Sequence, residues 1–275
     1  MNKDASTPVL RFDKVSVSFD DAVALQDVSF EVSHGGSRII LGAAGSGKTT
    51  LLKASLGLVR PQSGRVFLFG NDISRMREEE LFGLRSQVGM LFQESALFDS
   101  LTVAENVAYP LLNQRAIQCP ADQVLPKVKE ALRFVELEQT LEKFPSELSG
   151  GMRRRAAIAR AIVTEPPLLL YDSPTAGLDP ITATTIIALI VKERDLASTT
   201  TLMVTHRYQD GHLLANYHYS PANGGLQPAR GVNEPVPGRT KFLVLEEGRL
   251  VFEGSQSELE ASTDPYVAKF VKRTG

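Results

Sequence analysis

Residues 37–58 read SRIILGAAGSGKTTLLKASLGL. The apolar run that ends at Leu41 predicts a short buried strand, and the glycine-rich segment after it predicts a tight loop. Leucines then recur at positions 51, 52, 56 and 58, which is the spacing of a helix. The sequence therefore predicts a strand, a glycine loop and a helix in direct succession.

Strands and helices alternate along most of the chain. Alternating apolar and polar residues over 9–32 predict an antiparallel hairpin. The apolar runs 168–172 and 200–206 predict buried strands, and a helical pattern lies between them. Alternation of this kind favours a parallel α/β sheet within a single domain of 275 residues.

Two segments depart from this alternation. Between about residues 94 and 165 the pattern is helical, which predicts an inserted helical subdomain. Between residues 216 and 240, four prolines, four glycines and no periodicity predict a long exposed loop. A hairpin and a short helical segment are then expected to close the chain.

Composition excludes several classes of protein. The chain is 43% hydrophobic and 23% charged, close to globular averages, so a disordered chain or a filament is excluded. Its net charge of −2 lacks the basic excess of a dedicated nucleic-acid binder. A single cysteine, Cys119, excludes an internal disulfide. No stretch approaches a membrane-spanning helix or a signal peptide, so a cytoplasmic protein is expected.

The glycine loop fits the motif G-x-x-x-x-G-K-[ST], placed after a strand and at the start of a helix as the motif requires. Glycines let successive backbone N–H groups turn toward phosphate oxygens, and the helix N-terminus adds partial positive charge. The lysine supplies an ammonium to the outer phosphates. The predicted nucleotide-binding residues here are Gly42, Ala43, Ala44, Gly45, Ser46, Gly47, Lys48, Thr49 and Thr50.

Asp172 ends the apolar run LLLYD and is the candidate second metal ligand. Mg²⁺ bound to phosphates requires further oxygen ligands, and the hydroxyl of Thr49 together with this carboxylate would supply them. The predicted ligands are therefore a nucleoside triphosphate and Mg²⁺.

Further motifs follow in a fixed order. Gln93 comes after VGMLF, LSGGM occupies 148–152, DSPTAGLDP follows Tyr171, and His206 ends the strand TLMVT. With these motifs the chain resembles the nucleotide-binding subunits of ATP-binding cassette (ABC) transporters over nearly its whole length. The resemblance implies a P-loop NTPase (RecA-like) core with an antiparallel β subdomain and an inserted helical subdomain.

The resemblance also implies a dimer. In this family the signature residues, here Ser149, Gly150 and Gly151, contact the γ-phosphate of an ATP bound by the opposite protomer. Their expected position at a helix N-terminus suits a phosphate. Asp179 would lie across the interface. The implied partner is a second copy of the chain, with two ATP molecules held between the copies.

Three more roles are implied within one protomer. Gln93 would ligate Mg²⁺ or the attacking water, and His206 would contact the γ-phosphate. Phe19 would stack on adenine. For Phe19 an alternative stays open, because an aromatic residue in an alternating strand also suits the core.

Ser173 departs from the family pattern, in which a glutamate follows the metal-binding aspartate and polarises the attacking water. A hydroxyl orients water but does not hold a proton at neutral pH, and a general base contributes about 10²- to 10⁴-fold. Slow hydrolysis is therefore expected, with His206 as the first candidate base because imidazole changes protonation near neutral pH. Alternatively, metal charge and phosphate positioning suffice and the serine costs little. A regulatory clamp that binds ATP with little hydrolysis is the other interpretation.

Subfamily cues concern the transported substrate. The stretch ESALFDSLTVAENVAYPL, the phrase GLDPIT and the segment DPYVAKFV are similar to cassettes of phospholipid transporters of the Mla type, which carry MCE domains. The resemblance implies MlaE-like permease subunits docked on the surface 93–112, an MCE-domain protein, and no nucleic acid. It also implies a peripheral position on the cytoplasmic face of the bacterial inner membrane. A DNA-repair cassette would need a long coiled-coil insertion, which the sequence lacks.

Two groups of residues invite other interpretations. Arg153, Arg154 and Arg155 form a basic run, but successive helical residues fan around the surface, so solvated or partner-facing positions are expected. His212 and His218 have no neighbouring cysteines, so a metal site is not expected there.

Overall fold

The computed structural model describes residues 7–20, 22–229 and 240–272. Within these ranges the strands are β1 (Leu10–Phe19), β2 (Ala22–Val32), β3 (Ser37–Leu41), β4 (Ser63–Leu68), β5 (Asn71–Asp72), β6 (Val88–Leu91), β7 (Leu168–Asp172), β8 (Thr200–Thr205), β9 (Tyr217–Ser220), β10 (Gly225–Pro228), β11 (Thr240–Glu246) and β12 (Arg249–Gly254). The α-helices of the same ranges are α1 (Lys48–Ser55), α2 (Glu78–Arg85), α3 (Val103–Asn113), α4 (Ala121–Phe134), α5 (Gly150–Ile162), α6 (Pro180–Ala197), α7 (Tyr208–Asn216), α8 (Gln256–Glu260) and α9 (Pro265–Lys272).

A six-stranded sheet in the order β12-β11-β3-β8-β7-β6 forms the centre of the molecule. All of its pairs are parallel except β11 with β12, which forms the predicted hairpin near the end of the chain. Strands β3, β7 and β8 are buried at every residue, as expected for parallel strands covered on both faces. The predicted parallel α/β core is thereby confirmed.

Register in this sheet brings the ends of three strands together. Leu41 of β3 pairs with Thr205 of β8, and Val204 pairs with Asp172 of β7. The glycine loop after Leu41, the aspartate at 172 and the histidine after Thr205 therefore leave the sheet along one edge.

Alternate residues of each central strand serve different hydrophobic cores. Ile40 and Leu170 pack against α1 and the four-stranded sheet β2-β1-β4-β5, whose pairs are antiparallel. Ile39 and Leu169 face the opposite way, into a core shared with α3, α4, α5 and α6. The antiparallel β subdomain is thus attached to one face of the parallel sheet.

Three helices form the inserted helical part. Helix α3 packs on both α4 and α5, and α5 leads back into the central sheet. Asn106 of α3 is fully buried, and its side-chain amide donates to the carbonyls of Phe98, Leu101 and Thr102, each at 3.0 Å. This amide fixes the chain that enters the insert from β6.

The prediction of a long loop at 216–240 is wrong for the first half of this segment. Strands β9 and β10 pair there as an antiparallel hairpin, while residues 230–239 lie outside the described part of the chain. The cause is long-range: Arg194 of α6 donates to the carbonyl of Tyr217 at 2.8 Å, and Asp195 accepts from the backbone N–H of Tyr219 at 2.8 Å. Strands of four residues, with none fully buried, give too short a pattern to be recognised locally.

Among the described residues, every helix is too short or too polar to span a lipid bilayer.

Gly89 is expected to be required for packing β6 on α5. A Cβ atom at this position would lie 2.2 Å from the Ala161 carbonyl oxygen and 2.5 Å from a methyl of Leu169. Gly89→Ala should therefore lower the free energy of unfolding by about 1–3 kcal/mol, the usual cost of overpacking. Denaturant titration measures this.

The matched control is Gly83→Ala. An added Cβ at Gly83 in α2 meets no atom within 4 Å, so helix propensity should raise stability by up to about 1 kcal/mol. Equal effects of the two substitutions would contradict the packing account.

Candidate nucleotide-binding site

The glycine loop leaves β3 and turns into α1 with a backbone that only glycine accommodates. Gly47 has φ +101°, and a Cβ there would lie 2.2 Å from the carbonyl oxygen of Ala24. Gly47 is also the N-cap of α1 and provides no side-chain acceptor. The first N–H groups of α1 therefore lack the side-chain cap that many helices have and are suited to an anion.

Lys48 holds its ammonium inside the loop. Its Nζ donates to the carbonyl oxygens of Gly42 at 2.9 Å and Ala43 at 2.6 Å. Burial lowers the pKa of Lys48, and the negative charge of Asp172 opposes that shift. Phosphate oxygens would replace these carbonyl contacts with stronger, charge-assisted ones.

Thr49 and Asp172 are in direct contact. The threonine Oγ1 donates to the carboxylate Oδ2 at 2.9 Å, and the aspartate is 4% exposed. Neighbouring ligands of an octahedral Mg²⁺ lie about 2.9 Å apart, given metal–oxygen distances of about 2.0–2.1 Å. The two oxygens are therefore already spaced as a pair of Mg²⁺ ligands.

A cleft of 630 Å³ brings most of the predicted phosphate-side residues together. Besides residues 43–45, Lys48 and Thr49 it is lined by Gln93, Asp172, Ser173 and His206. These side chains come from four separate stretches of sequence, so their convergence is a property of the sheet edge. The volume and the mixture of charges suit the phosphates of a nucleotide and an accompanying metal ion.

Other predicted residues lie outside this cleft. Ser149 caps α5, and its Oγ accepts from Met152 N–H at 3.3 Å. Asp179 caps α6 by accepting from the N–H groups of Ile181 at 3.1 Å and Thr182 at 3.0 Å.

Gly150, Gly151 and Phe19 also lie outside the cleft lining. A Cβ at Gly151 would lie 2.6 Å from a methyl of Thr182, so the signature packs on the start of α6, while Gly150 lies beside it at the start of α5. Phe19 ends β1 and is 49% exposed, so it is not a core residue. Within one chain, the signature and the cleft are therefore separate surfaces.

Arg154 corrects the expectation of a solvated basic run. It is 5% exposed, and its guanidinium donates to the carbonyls of Phe92 at 3.0 Å, Gln93 and Ala176 at 3.2 Å. This side of α5 faces both the strand end at Gln93 and the loop after β7, which a helical wheel alone does not reveal. Arg154 therefore connects the segment at Phe92 and Gln93 to the loop that carries Ser173.

Asp210 is a second buried group that sequence patterns missed. Its Oδ2 accepts from the hydroxyls of Thr175 at 2.6 Å and Thr205 at 2.8 Å. Burial raises the pKa of Asp210, while these two hydroxyl donors act in the opposite direction. The contacts tie the loop after Ser173 to the strand end before His206.

Ser173 occupies the cleft wall with a constrained backbone. Its φ is +47°, its N–H donates to the Val204 carbonyl at 2.8 Å, and its Oγ donates to Asp172 Oδ1 at 3.2 Å. The hydroxyl thus orients the carboxylate of Asp172 and provides no base of its own. His206 is exposed and lines the same cleft.

The C-terminal helix α9 is an unexpected part of the site. Tyr266, Lys269 and Phe270 line the cleft together with residues of the glycine loop. The sequence predicts a helix here but contains no motif that places it on the loop, because the contact joins residues more than two hundred positions apart.

A phosphate loop at the edge of a parallel sheet, with an adjacent threonine–aspartate pair, defines a P-loop nucleotide-binding protein. The family model described as ABC transporter matches residues 25–176. The chain belongs to the ABC transporter family, and it is an ATP-binding, ATP-hydrolysing subunit of a transporter.

Known relatives agree with this assignment. MlaF of Escherichia coli K12, an intermembrane phospholipid transport system ATP-binding protein, is 33% identical and is matched over 94% of this chain and 86% of its own length. Protein TRIGALACTOSYLDIACYLGLYCEROL 3 of Arabidopsis thaliana is 36% identical, over 92% of this chain and 70% of that protein. The methionine import protein MetN of Corynebacterium jeikeium is 37% identical over 86% of this chain, which spans 57% of that relative.

Solved structures confirm the fold. A dimeric bacterial ABC transporter cassette superposes with a TM-score of 0.74 at 27% identity, covering 90% of this chain and 98% of that one. The structure of cbiO1 from Clostridium perfringens gives a TM-score of 0.75 at 27% identity, with 97% and 95% coverage.

Ser173 is expected to limit hydrolysis. Ser173→Glu places a carboxylate in the cleft wall where the attacking water would be polarised, so Mg²⁺-dependent ATP turnover of the purified chain should rise at least several-fold.

Ser173→Gln is the matched control, since it has similar size without a basic oxygen, and it should not raise turnover. If glutamate adds nothing to a native rate already near 1–10 s⁻¹, an ordinary enzyme rate, the serine is no handicap.

Proposed function

We propose that the chain hydrolyses ATP to power an Mla-type transporter of phospholipids. The observation that carries this proposal is the extent of the match to MlaF, which includes nearly all of both chains. MlaF of Haemophilus influenzae is likewise 32% identical over 92% of this chain and 86% of its own length. The Arabidopsis relative is also named for a lipid.

Methionine import is the competing substrate assignment. Identity to MetN is higher, at 37% and 38%, but the matched region is 57% of the Corynebacterium jeikeium protein and 51% of the Bifidobacterium longum protein. The alignment with MlaF covers most of this chain and most of MlaF, which favours a phospholipid transporter.

A groove of 430 Å³ beside β6 supports docking of a permease helix. Its wall includes Phe98 and Tyr109, which are 42% and 40% exposed, with ring centroids 4.6 Å apart. Arg160 donates to the carbonyls of Ser95 and Ala96, both at 2.8 Å, and so fixes the rim. An exposed aromatic wall next to Gln93 suits an apolar helix from a membrane partner.

A permease helix docked in this groove would lie beside the segment that also lines the nucleotide cleft. Gln93 lines the cleft, its carbonyl is held by Arg154, and residues 92 and 96 line the groove. Movement of a docked helix would therefore act on a segment that also touches the phosphate side of the cleft.

Dimerisation on ATP is the second part of the proposal. Ser149 and its neighbours lie apart from the cleft of their own chain and begin a helix suited to a phosphate. A second copy would complete each site, with Mg²⁺ held by Thr49, Asp172 and Gln93. The dimeric state of the solved cassette supports this arrangement.

The remaining partners follow from the same proposal. An MlaE-like permease and an MCE-domain protein would carry lipid specificity, and the chain would sit peripherally on the cytoplasmic face of the bacterial inner membrane. Ser173 favours a second candidate function, a nucleotide clamp with little hydrolysis. Comparing the ATP turnover of the native protein with that of Ser173→Glu distinguishes this clamp from an ATP-hydrolysing motor.

Phe98→Asp is expected to remove the permease from the complex. A charge on the groove wall would oppose burial of an apolar helix, so the amount of membrane protein that copurifies from detergent-solubilised membranes should fall several-fold.

The substrate assignment is tested on the native complex. ATP turnover should be supported by nanodiscs of phosphatidylethanolamine and phosphatidylglycerol, and added methionine should not change it.

Phe82→Asp is the matched control, because Phe82 is a phenylalanine of similar exposure, 49%, on α2 and outside the groove lining. Loss of the membrane protein with both variants would overturn the docking site. Stimulation by methionine with no lipid dependence would overturn the phospholipid assignment.

A further inference from the structure

Helix α9 is anchored against the glycine loop at its first turn. Asp264 Oδ1 accepts from the N–H groups of Tyr266 at 2.8 Å and Val267 at 3.0 Å, which caps the helix. Val267 is 1% exposed. Tyr266 and Phe270 meet edge-on at 5.4 Å and pack on the larger hydrophobic core. The helix therefore has a defined position beside the cleft.

The tyrosine connects α9 to the loop through hydrogen bonds. Its hydroxyl donates to the carbonyl oxygen of Leu245, at the end of β11, and accepts from the N–H of Ala43, both at 3.3 Å. Ala43 is the second residue of the glycine loop. The position of α9 is thereby coupled to the backbone that would receive phosphate oxygens.

Lys269 brings a further positive charge to the cleft. It is exposed and lines the cleft, and within the described part of the chain its ammonium forms no ion pair. Its Nζ lies 5.5 Å from the ring centroid of Tyr266, which holds the side chain near the loop. A triphosphate carries several negative charges, and the ammonium of Lys48 would balance only one of them.

Lys269 lines the same cleft as Gln93, Asp172 and His206, the candidate contacts of the metal and the γ-phosphate, while Phe19, the candidate adenine contact, is not among the lining residues. A cation in this lining is therefore available to the outermost phosphate, which ATP has and ADP lacks.

We propose that α9 belongs to the nucleotide site and that Lys269 binds the terminal phosphate of ATP, with Tyr266 as the positioning residue that holds α9 on the loop. The lysine then contributes to discrimination of ATP from ADP from within the same chain. This proposal goes beyond the transported substrate and does not depend on it.

Isothermal titration of the full purified chain with Mg-ATP and with Mg-ADP tests the proposal. Lys269→Ala should raise the Kd for ATP about five-fold, the upper size of one partly exposed ion pair, and the Kd for ADP less than about two-fold. Lys269→Arg keeps the charge and should restore ATP affinity. Tyr266→Phe should weaken ATP binding without changing the ring packing.

The matched control is Lys129→Ala, which removes an exposed lysine from helix α4, outside the cleft. ATP binding by Lys269→Ala equal to that of this control would overturn the proposal. An equal loss of ATP and ADP affinity would also overturn it, because the lysine would then not act at the terminal phosphate. An unchanged unfolding midpoint confirms that the variants are folded.

Discussion

The hydrogen bond from Thr49 to Asp172 joins the two halves of the site, and its 2.9 Å length depends on the register of the parallel sheet. Thr49 lies in the first turn of α1, which follows β3, and Asp172 ends β7, two strands away from β3 in the sheet. A one-residue slip would turn Asp172 to the opposite face of the sheet. The buried strands β3, β8 and β7 therefore fix the distance on which metal and phosphate binding depend.

The loop that follows Asp172 is held from two sides. Arg154 binds the carbonyl of Ala176 from the side of Gln93, and Asp210 binds the hydroxyl of Thr175 from the side of His206. Both groups are buried, so their hydrogen bonds are strong and their loss would be costly. Ser173 begins the same loop, two residues before Thr175. The position of an attacking water would thus be set by neighbours of Ser173 as much as by the serine itself.

The sequence was sufficient where a contiguous motif carries the chemistry. The glycine loop, Lys48 and Asp172 are recognisable because the local backbone and the strand end dictate their place. Arg154, Asp210, the β9–β10 hairpin and the position of α9 on the glycine loop were misread or missed, because each depends on contacts between distant segments. Arg154 shows the limit well: helical spacing predicts where it points around α5 but not that two carbonyl-bearing loops cover that side.

We propose that Thr49 and Asp172 form the metal end of an ATP-hydrolysing site. Thr49→Val keeps the shape of threonine without its hydroxyl, so its steady-state ATP turnover should be measured together with nucleotide binding when Mg²⁺ is chelated. We expect a loss of Mg²⁺-dependent turnover of at least about ten-fold, full activity in Thr49→Ser, and unchanged metal-free ATP binding. Native turnover in Thr49→Val would rule out this role for the pair.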